Sequence, residues 1–369
     1  MTDTSQRSHV ARANLHDLQF APDADATRPL ADGEARLRVD RFALTANNIT
    51  YAAFGETMKY WQFFPCADAS RGCIPVWGFA SVIESRSAGV SPGQRVYGYF
   101  PLGTHLVVQP VRPAPHGFAD GAAHRAGLAA IYNQYVLSDS NASARTEGLL
   151  ALLKPLFSTS FLLDDFFADR GDFRAERLLL SSASSKTAYG TAFCLRRRAT
   201  RPAVLGLTSA GNLDFVRSLG CYDDVIVYDD LTRLDPKVPS AYIDFAGDAA
   251  LRGRVHQHLA DALTYSCAVG GSHWEQLGGG GGLPGPRPEL FFAPAQAAKR
   301  SAAPPVGWGA AALNQRIGDA LAAFLHAIDA ADPPWVDLRS SHGAEAVDAA
   351  YRRLLAGHVP AREGLVLAL

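Results

Sequence analysis

The sequence predicts an α/β protein built from a compact barrel-like all-β domain followed by a doubly wound parallel-sheet domain. Three observations carry this expectation. The chain has 369 residues, 48% of them hydrophobic and 19% charged, which is enough apolar mass for two cores. From Ala35 to about Pro110 it reads as short strand-like runs separated by Gly and Pro turns. After Gly171 the rhythm changes to short apolar runs alternating with helical patterns, the signature of βαβ units on a parallel sheet.

In the first part, ARLRVDRFAL (35–44) alternates charged and apolar residues as a half-buried strand does, and IPVWGFASVIES (74–85) is a second strand-rich stretch. GVSPGQRVYGYF (89–100) places a Pro-Gly turn before a strand, and THLVVQP (104–110) follows as the next. Strands this short and this closely spaced suit a small barrel. PAPHGFADGAAH (113–124) reads as a loop, and GLAAIYNQYVLSD (127–139) as a helix. TEGLLALLKPLFSTSFLLDDFFADRG (146–171) supplies one or two further helices, ended by Gly171.

In the second part, the strands are ERLLLSSAS, AVLGLTS, DDVIVYDD, SAYIDFAG and TYSCAVG. Between them lie the helical segments SKTAYGTAFCLRRR, NLDFVRSLG and RGRVHQHLADA. GGGGGLPGPRP (278–288) is a low-complexity loop. Two helical patterns, LNQRIGDALAAFLHAIDAA and GAEAVDAAYRRLLAG, precede a final strand, GLVLAL.

The charge balance excludes some functions. With 35 basic and 36 acidic side chains, the chain lacks the basic excess of a dedicated nucleic-acid binder. The first twenty residues hold no apolar signal core, and the most apolar stretch, 149–167, is broken by Lys154, Pro155, Asp164 and Asp165. No uncharged run there approaches the roughly 20 residues needed to cross a bilayer. Five scattered cysteines fit reduced thiols in a soluble, cytoplasmic protein, and their spacing supports no metal site. There is no G-x-S-x-G elbow for a hydrolytic serine and no Walker sequence for phosphoryl transfer.

The best-defined candidate site is the turn from the first parallel strand into its helix, Leu178 to Ala188. In a doubly wound sheet this turn takes a dinucleotide pyrophosphate on backbone amides at a helix N-terminus. Small residues are required because the backbone approaches the phosphates closely. Here Ser182, Ala183, Ser184 and Ser185 stand where glycines usually do, so the G-x-G-x-x-G fingerprint is absent. Lys186 offers a positive charge and Thr187 a further hydroxyl; the competing assignment has these hydroxyls capping the helix and Lys186 in solvent. The second strand ends in Thr208, Ser209 and Asn212 with no acid to accept the ribose 2′-hydroxyl of NAD, which suits the 2′-phosphate of NADP better.

The order of these segments resembles the medium-chain dehydrogenase/reductase superfamily, and within it the zinc-free quinone-oxidoreductase and enoyl-reductase branch. The resemblance spans about residues 30–369. It rests on GVSPGQRVYGYFPLGTHLVVQP (89–110), TANNITYAAFG (45–55), LFSTSF before the first parallel strand, DFAG (244–247) and SHGAEAVDAAYRRLLAG near the C-terminus. It implies a GroES-like β-barrel catalytic domain over 1–145, a Rossmann cofactor-binding domain over 146–290, and a segment over 291–369 that completes both. It also implies NADP(H) as cofactor, a small-molecule substrate and a homodimer paired through the Rossmann sheet. Where zinc-dependent members carry Gly-His-Glu, this chain has Gly78-Phe79-Ala80, so no catalytic zinc is expected.

Hydride transfer to an enone or quinone leaves a developing oxyanion or carbanion that needs a hydrogen-bond donor or general acid. The resemblance implies Tyr60 for this role, with Tyr51 as second choice, and Asn47 beside Asn48 near the nicotinamide. Thr159 matches a position that packs on the nicotinamide ring, and Gly247 and Gly270 fall in the cofactor loops. His273 and Trp274, after the last clear strand, and Trp61, in an aromatic-rich stretch, are candidate substrate contacts. Each tyrosine and tryptophan equally suits packing. The expected function is NADPH-dependent, metal-free reduction of an activated C=C or C=O bond. The rivals are a non-redox enzyme of carbon–carbon lyase type on the same scaffold, or a binding protein that has lost catalysis and nucleotide affinity.

Overall fold

The computed structural model describes residues 5–269 and 282–369. It divides into two compact units, one made of residues 1–154 and 336–369, the other of residues 155–335. Gly270, His273 and Trp274 lie outside the described residues.

The first unit opens with a hairpin, β1 (Gln6–Ala11) and β2 (Asn14–Pro22), which sequence periodicity alone did not single out. There follow β3 (Ala35–Leu44), the helix α1 (Ala46–Ala53), a short β4 (Arg71–Gly72), β5 (Pro75–Ser85), β6 (Arg95–Pro101) and β7 (His105–Val108). The segment expected as a loop forms a hairpin, β8 (Pro110–Ala114) and β9 (Gly117–Asp120). The segment expected as a helix over 127–139 is instead a 3₁₀ turn at Ala130–Asn133 leading into β10 (Gln134–Leu137). Tertiary pairing overrides the helical spacing there: β10 bonds antiparallel to both β9 and β6, and Tyr135 lies buried over Gly98. The long helix α2 (Ala144–Asp169) contains Pro155, where the first unit gives way to the second.

The second unit is a six-stranded, all-parallel sheet. Its strands are β11 (Arg177–Leu180), β12 (Ala203–Thr208), β13 (Asp224–Val227), β14 (Ser240–Asp244), β15 (Leu263–Ala268) and β16 (Glu289–Leu290). They are ordered β13-β12-β11-β14-β15-β16. The chain moves outward from β11 to one side, then returns to place β14 on the other. The order therefore reverses beside β11, which opens a crevice at the carboxyl ends of the strands. The helices are α3 (Lys186–Arg196), α4 (Leu213–Ser218), α5 (Ala249–Leu259), α6 (Ala293–Ser301) and α7 (Ala310–Ala330). One core packs Leu179, Leu207, Ile226 and Tyr242 against Leu251, Val255 and Leu259 of α5. A separate aromatic contact joins Phe157 of α2 to Phe324 of α7, with ring centres 4.6 Å apart.

The C-terminal segment adds β17 (Asp337–His342), α8 (Ala344–Leu355) and β18 (Glu363–Ala368) to the first unit. β18 pairs antiparallel with β3 and parallel with β17, extending a nine-stranded sheet of order β17-β18-β3-β5-β6-β10-β9-β8, with β7 also on β3. Among the described residues no helix is long and apolar enough to cross a membrane. All five cysteines are free thiols, four of them buried.

Candidate functional site

The crevice of the second unit is tied together by a buried polar knot. Ser181, immediately after β11, donates through Oγ to Asp244 Oδ1 at 2.9 Å and accepts from the amides of Phe245 and Ala246. Asp244 Oδ1 also accepts from the amides of Ala246 and Gly247 at 3.1 and 3.0 Å, while Oδ2 faces Arg252 Nε at 3.3 Å. Gly247 has φ +71°, a conformation that places its amide on the carboxylate at no Cβ cost. The knot holds the loops after β11 and β14 side by side.

The glycine-poor turn solves its backbone problem without glycine. Ser182 adopts φ +49°, the left-handed region where a glycine would ordinarily stand, and its amide donates to the Tyr228 hydroxyl at 3.1 Å. Burial pushes the Tyr228 phenol up, and its hydrogen bonds with Ser182 pull the other way. Ser185 is the N-cap of α3, its Oγ accepting from the Ala188 amide at 3.3 Å, so this hydroxyl does cap the helix. Ser184, Lys186 and Thr187 are half-buried beside it. The Thr187 carbonyl accepts from the hydroxyls of Ser160 and Thr191. Ala183 packs so tightly over Gly206 that a Cβ there would sit 2.9 Å from Ala183 Cβ.

These residues fit a dinucleotide. Thr208 ends β12, is 1% exposed, and its Oγ1 has no hydrogen-bond partner, an orphan hydroxyl where a ribose would be met. Ser209 accepts from Asn212 Nδ2 at 3.3 Å in the following 3₁₀ turn, and no acid stands among these residues. The N-terminus of α3 adds partial positive charge at the crevice. Thr159 lies on α2, half-buried, with Oγ1 turned back onto the Pro155 carbonyl at 3.3 Å.

In the first unit the structure brings Tyr51, Tyr60 and Asn47 together. Thr45 caps α1 and Asn48 completes a capping box, so the paired asparagines form the first helical turn. That turn places Asn47 one helical turn before Tyr51, on the same side of α1. Tyr51 accepts from Trp77 Nε1 at 3.1 Å, and its ring centre lies 4.7 Å from that of Tyr60. Burial raises both phenols above their usual range.

Two members of this cluster were not anticipated. Tyr132, on the 3₁₀ turn before β10, places its hydroxyl 3.4 Å from that of Tyr60 and its ring centre 4.7 Å from Tyr99. Lys154 sets its ammonium 4.3 Å from the Tyr97 ring centre, and burial lowers its pKa. Tyr132 carried no motif in the sequence; only strand pairing brings it here. Trp61, expected as a substrate contact, is instead a packing residue. It is 3% exposed, and its indole fills the space over two glycines, where a Cβ on Gly55 or Gly72 would come within 2.1 or 2.3 Å of the ring.

Among the described residues no three His, Cys, Asp or Glu side chains cluster as metal ligands. The second unit also holds a cavity of about 190 Å³ lined by Phe161, Asp164, Phe193, Cys194, Arg197, Arg198 and Ala320. Burial pushes the Asp164 carboxyl up to about 6 against the pull of Arg198, 2.7 Å away.

A family model described as "Protein of unknown function (DUF2855)" matches residues 42–360. None of the curated proteins matches the chain. Solved structures match over essentially their whole length. CurA in complex with NADPH from Vibrio vulnificus is 12% identical, with TM-score 0.62 and coverage of 97% of this chain and 96% of that one. CurK enoyl reductase is 13% identical, with TM-score 0.56 and full coverage of both. The quinone oxidoreductase from Coxiella burnetii is 13% identical, with TM-score 0.55 and 99% of each chain covered. At these identities the likeness establishes the fold alone, a GroES-like domain with a Rossmann domain.

Proposed function

This chain belongs to the DUF2855 family, a family of unknown function, and on that premise we propose that it is an NADPH-dependent oxidoreductase. Its reaction is the metal-free reduction of an activated C=C or C=O bond in a small molecule. The observation that carries the reading is the crevice of the second unit, where a left-handed Ser182, the capped N-terminus of α3 and an orphan Thr208 hydroxyl meet without any acid. The NADPH in the CurA complex, and the reductase activities named for CurK and the Coxiella enzyme, support the same cofactor and reaction class.

In this reading the second unit holds the nucleotide and the first is catalytic. Ser182, Ser184, Ser185, Lys186 and Thr187 receive the pyrophosphate, and Thr208, Ser209 and Asn212 receive the adenosine ribose and its phosphate. When bound, the nicotinamide supplies the hydride. Tyr51, accepting a hydrogen bond from Trp77 Nε1, keeps its own O–H to donate to the charge that develops on the substrate. Tyr60 lies against it as a second donor. A cytoplasmic homodimer belongs to the reading, and sedimentation of the purified chain tests the dimer.

Calorimetric titration with NADPH and NADH tests the cofactor. NADPH is expected to bind in the micromolar range, more tightly than NADH, and Thr208→Asp or Lys186→Ala to weaken it. Failure of both nucleotides to bind would sink the proposal and turn attention to non-redox chemistry or a binding role.

A further inference from the structure

The helix α3 has the strand-to-helix turn at its first residue and a second feature at its last. It spans 11 residues, about 16 Å, from Lys186 to Arg196. The cavity of about 190 Å³ lies at its carboxyl end, between α2, α3 and α7. Turn and cavity are therefore separate places, and the reductase reading makes no use of the cavity.

One side of the cavity is an acidic wall held by strained backbone. Arg198 serves two acids: its Nε lies 2.7 Å from Asp164 Oδ1 and its Nη1 2.7 Å from Asp172 Oδ1. Asp172 belongs to a turn, Gly171 to Arg174, in which four consecutive residues have φ between +48° and +59°. Three of them carry side chains, for which the left-handed region is unfavourable. Phe173 anchors the turn by stacking on Tyr265, with ring centres 3.7 Å apart. Two carboxylates against one guanidinium leave a net negative charge. The buried Asp164 Oδ1, despite the nearby Arg198, accepts no hydrogen bond. Burial pushes this carboxyl up to about 6, so it is mainly the anion at neutral pH.

The other charge in the lining has the opposite sign. Arg197 is exposed, and its guanidinium carbon lies 5.5 Å from the ring centre of Phe193, one helical turn earlier. Among the described residues no acid pairs with it. The rest of the lining is apolar: the rings of Phe161 and Phe193, the Ala320 methyl and the protonated thiol of Cys194. A simple carboxylate would meet Arg197 but bring its charge against Asp164, and a simple amine would do the converse. A molecule with both charges and an apolar stem satisfies all three parts.

We propose that this cavity binds a small zwitterion, an α-amino acid with an apolar side chain. Its ammonium pairs with Asp164, its carboxylate with Arg197, and its side chain lies against Phe161, Phe193 and Ala320.

Calorimetric titration and equilibrium dialysis of the full chain with L-leucine test this without cofactor or turnover. L-Leucine is expected to bind at millimolar concentration or below. Isoamylamine, which lacks the carboxylate, and isocaproate, which lacks the ammonium, are each expected to bind at least about tenfold more weakly. Arg197→Gln alters an exposed side chain and leaves the Asp164–Arg198 pair in place. It is expected to weaken L-leucine about tenfold at an unchanged melting temperature. Ala320→Leu fills the cavity from α7 and is expected to abolish L-leucine binding while circular dichroism stays that of the parent. No binding of L-leucine to the parent would overturn the proposal. So would either one-charge analogue binding as tightly as L-leucine, or an L-leucine affinity untouched by Arg197→Gln. NADPH is absent throughout, so failure of the reductase reading leaves this test intact.

Discussion

Ser181 Oγ and Asp244 Oδ1 meet at 2.9 Å at the carboxyl ends of two neighbouring parallel strands, both side chains almost wholly buried. One short contact thus joins the loops on either side of the point where the strand order reverses. Asp244→Ala removes the oxygen that accepts from the Ser181 hydroxyl and from the amides of Ala246 and Gly247, and the carboxylate that faces Arg252. The expected loss is about 3 kcal/mol in urea unfolding, with NADPH affinity falling alongside. Asp244→Asn keeps one acceptor oxygen and is expected to lose less than half as much. Equal losses in the two variants would show that charge, not the hydrogen-bond count, holds the crevice.

Ser182 occupies the left-handed region at φ +49°, so its tolerance of substitution is fixed by backbone rather than by space. Ser182→Gly is expected to be neutral or stabilising by up to about 1 kcal/mol, since relief of strain offsets the extra entropy of the unfolded chain. Ser182→Val, branched at Cβ, is expected to cost about 2 kcal/mol. Denaturant midpoints of the two variants give the comparison directly.

Tyr51→Phe removes the hydroxyl that accepts from Trp77. Stability is expected to drop by only about 1 kcal/mol, because one buried indole N–H loses its acceptor. Steady-state kinetics with NADPH and an enone should show kcat lower on the order of 100-fold at nearly constant KM. A Tyr51→Phe enzyme that turns over at the parent rate would remove this residue from the chemistry.

Trp61 separates packing from substrate contact. Gly72→Ala would set a methyl 2.3 Å from Trp61 Cε3, and neither the ring nor the strand has room to yield. The expected cost is about 1–3 kcal/mol in stability. The specific activity of the folded fraction should stay at the parent value.

His256 gives an acid limb to the stability profile. Its ring bridges the Pro284 carbonyl and Ser266 Oγ at 2.9 Å each, and burial lowers its pKa below the usual 6.5. The folded chain therefore resists a proton that the unfolded chain accepts. This contribution is complete above about pH 6.5 and is lost as pH falls from there toward the folded value. Melting temperature should decline over that interval in the parent. The decline should be shallower in His256→Gln, whose stability is lower throughout.

Much of the second unit was legible in the sequence because its parallel strands are continuous apolar runs. LLL before Ser181 and AYID before Phe245 are buried on both faces and read as strands without help from context. The turn after β11 was also legible as a close strand-to-helix turn, since small residues there follow an apolar run and precede a helical pattern. The sequence could not say how a turn without glycine would be built. That depended on Ser182 entering the left-handed region and on Tyr228, some 46 residues away, meeting its amide.

The first unit hid more. Residues 127–139 carry apolar spacing that a helix satisfies, yet β6 and β9 leave a gap that only a strand fills, so long-range pairing decided the conformation. That same pairing delivered Tyr132 to Tyr60 and Tyr51, 72 residues from the first of them. What the sequence by itself determined was the two-part architecture, the strand-to-helix turn and the grouping of Asn47 with Tyr51, because periodicity, turn chemistry and helical spacing are local. What only the tertiary structure decided was which hydroxyls converge and which aromatics are mere packing. Trp61 over Gly55 and Gly72, and Tyr132 against Tyr60, depend on surfaces far apart in the chain, and local propensity has no access to them.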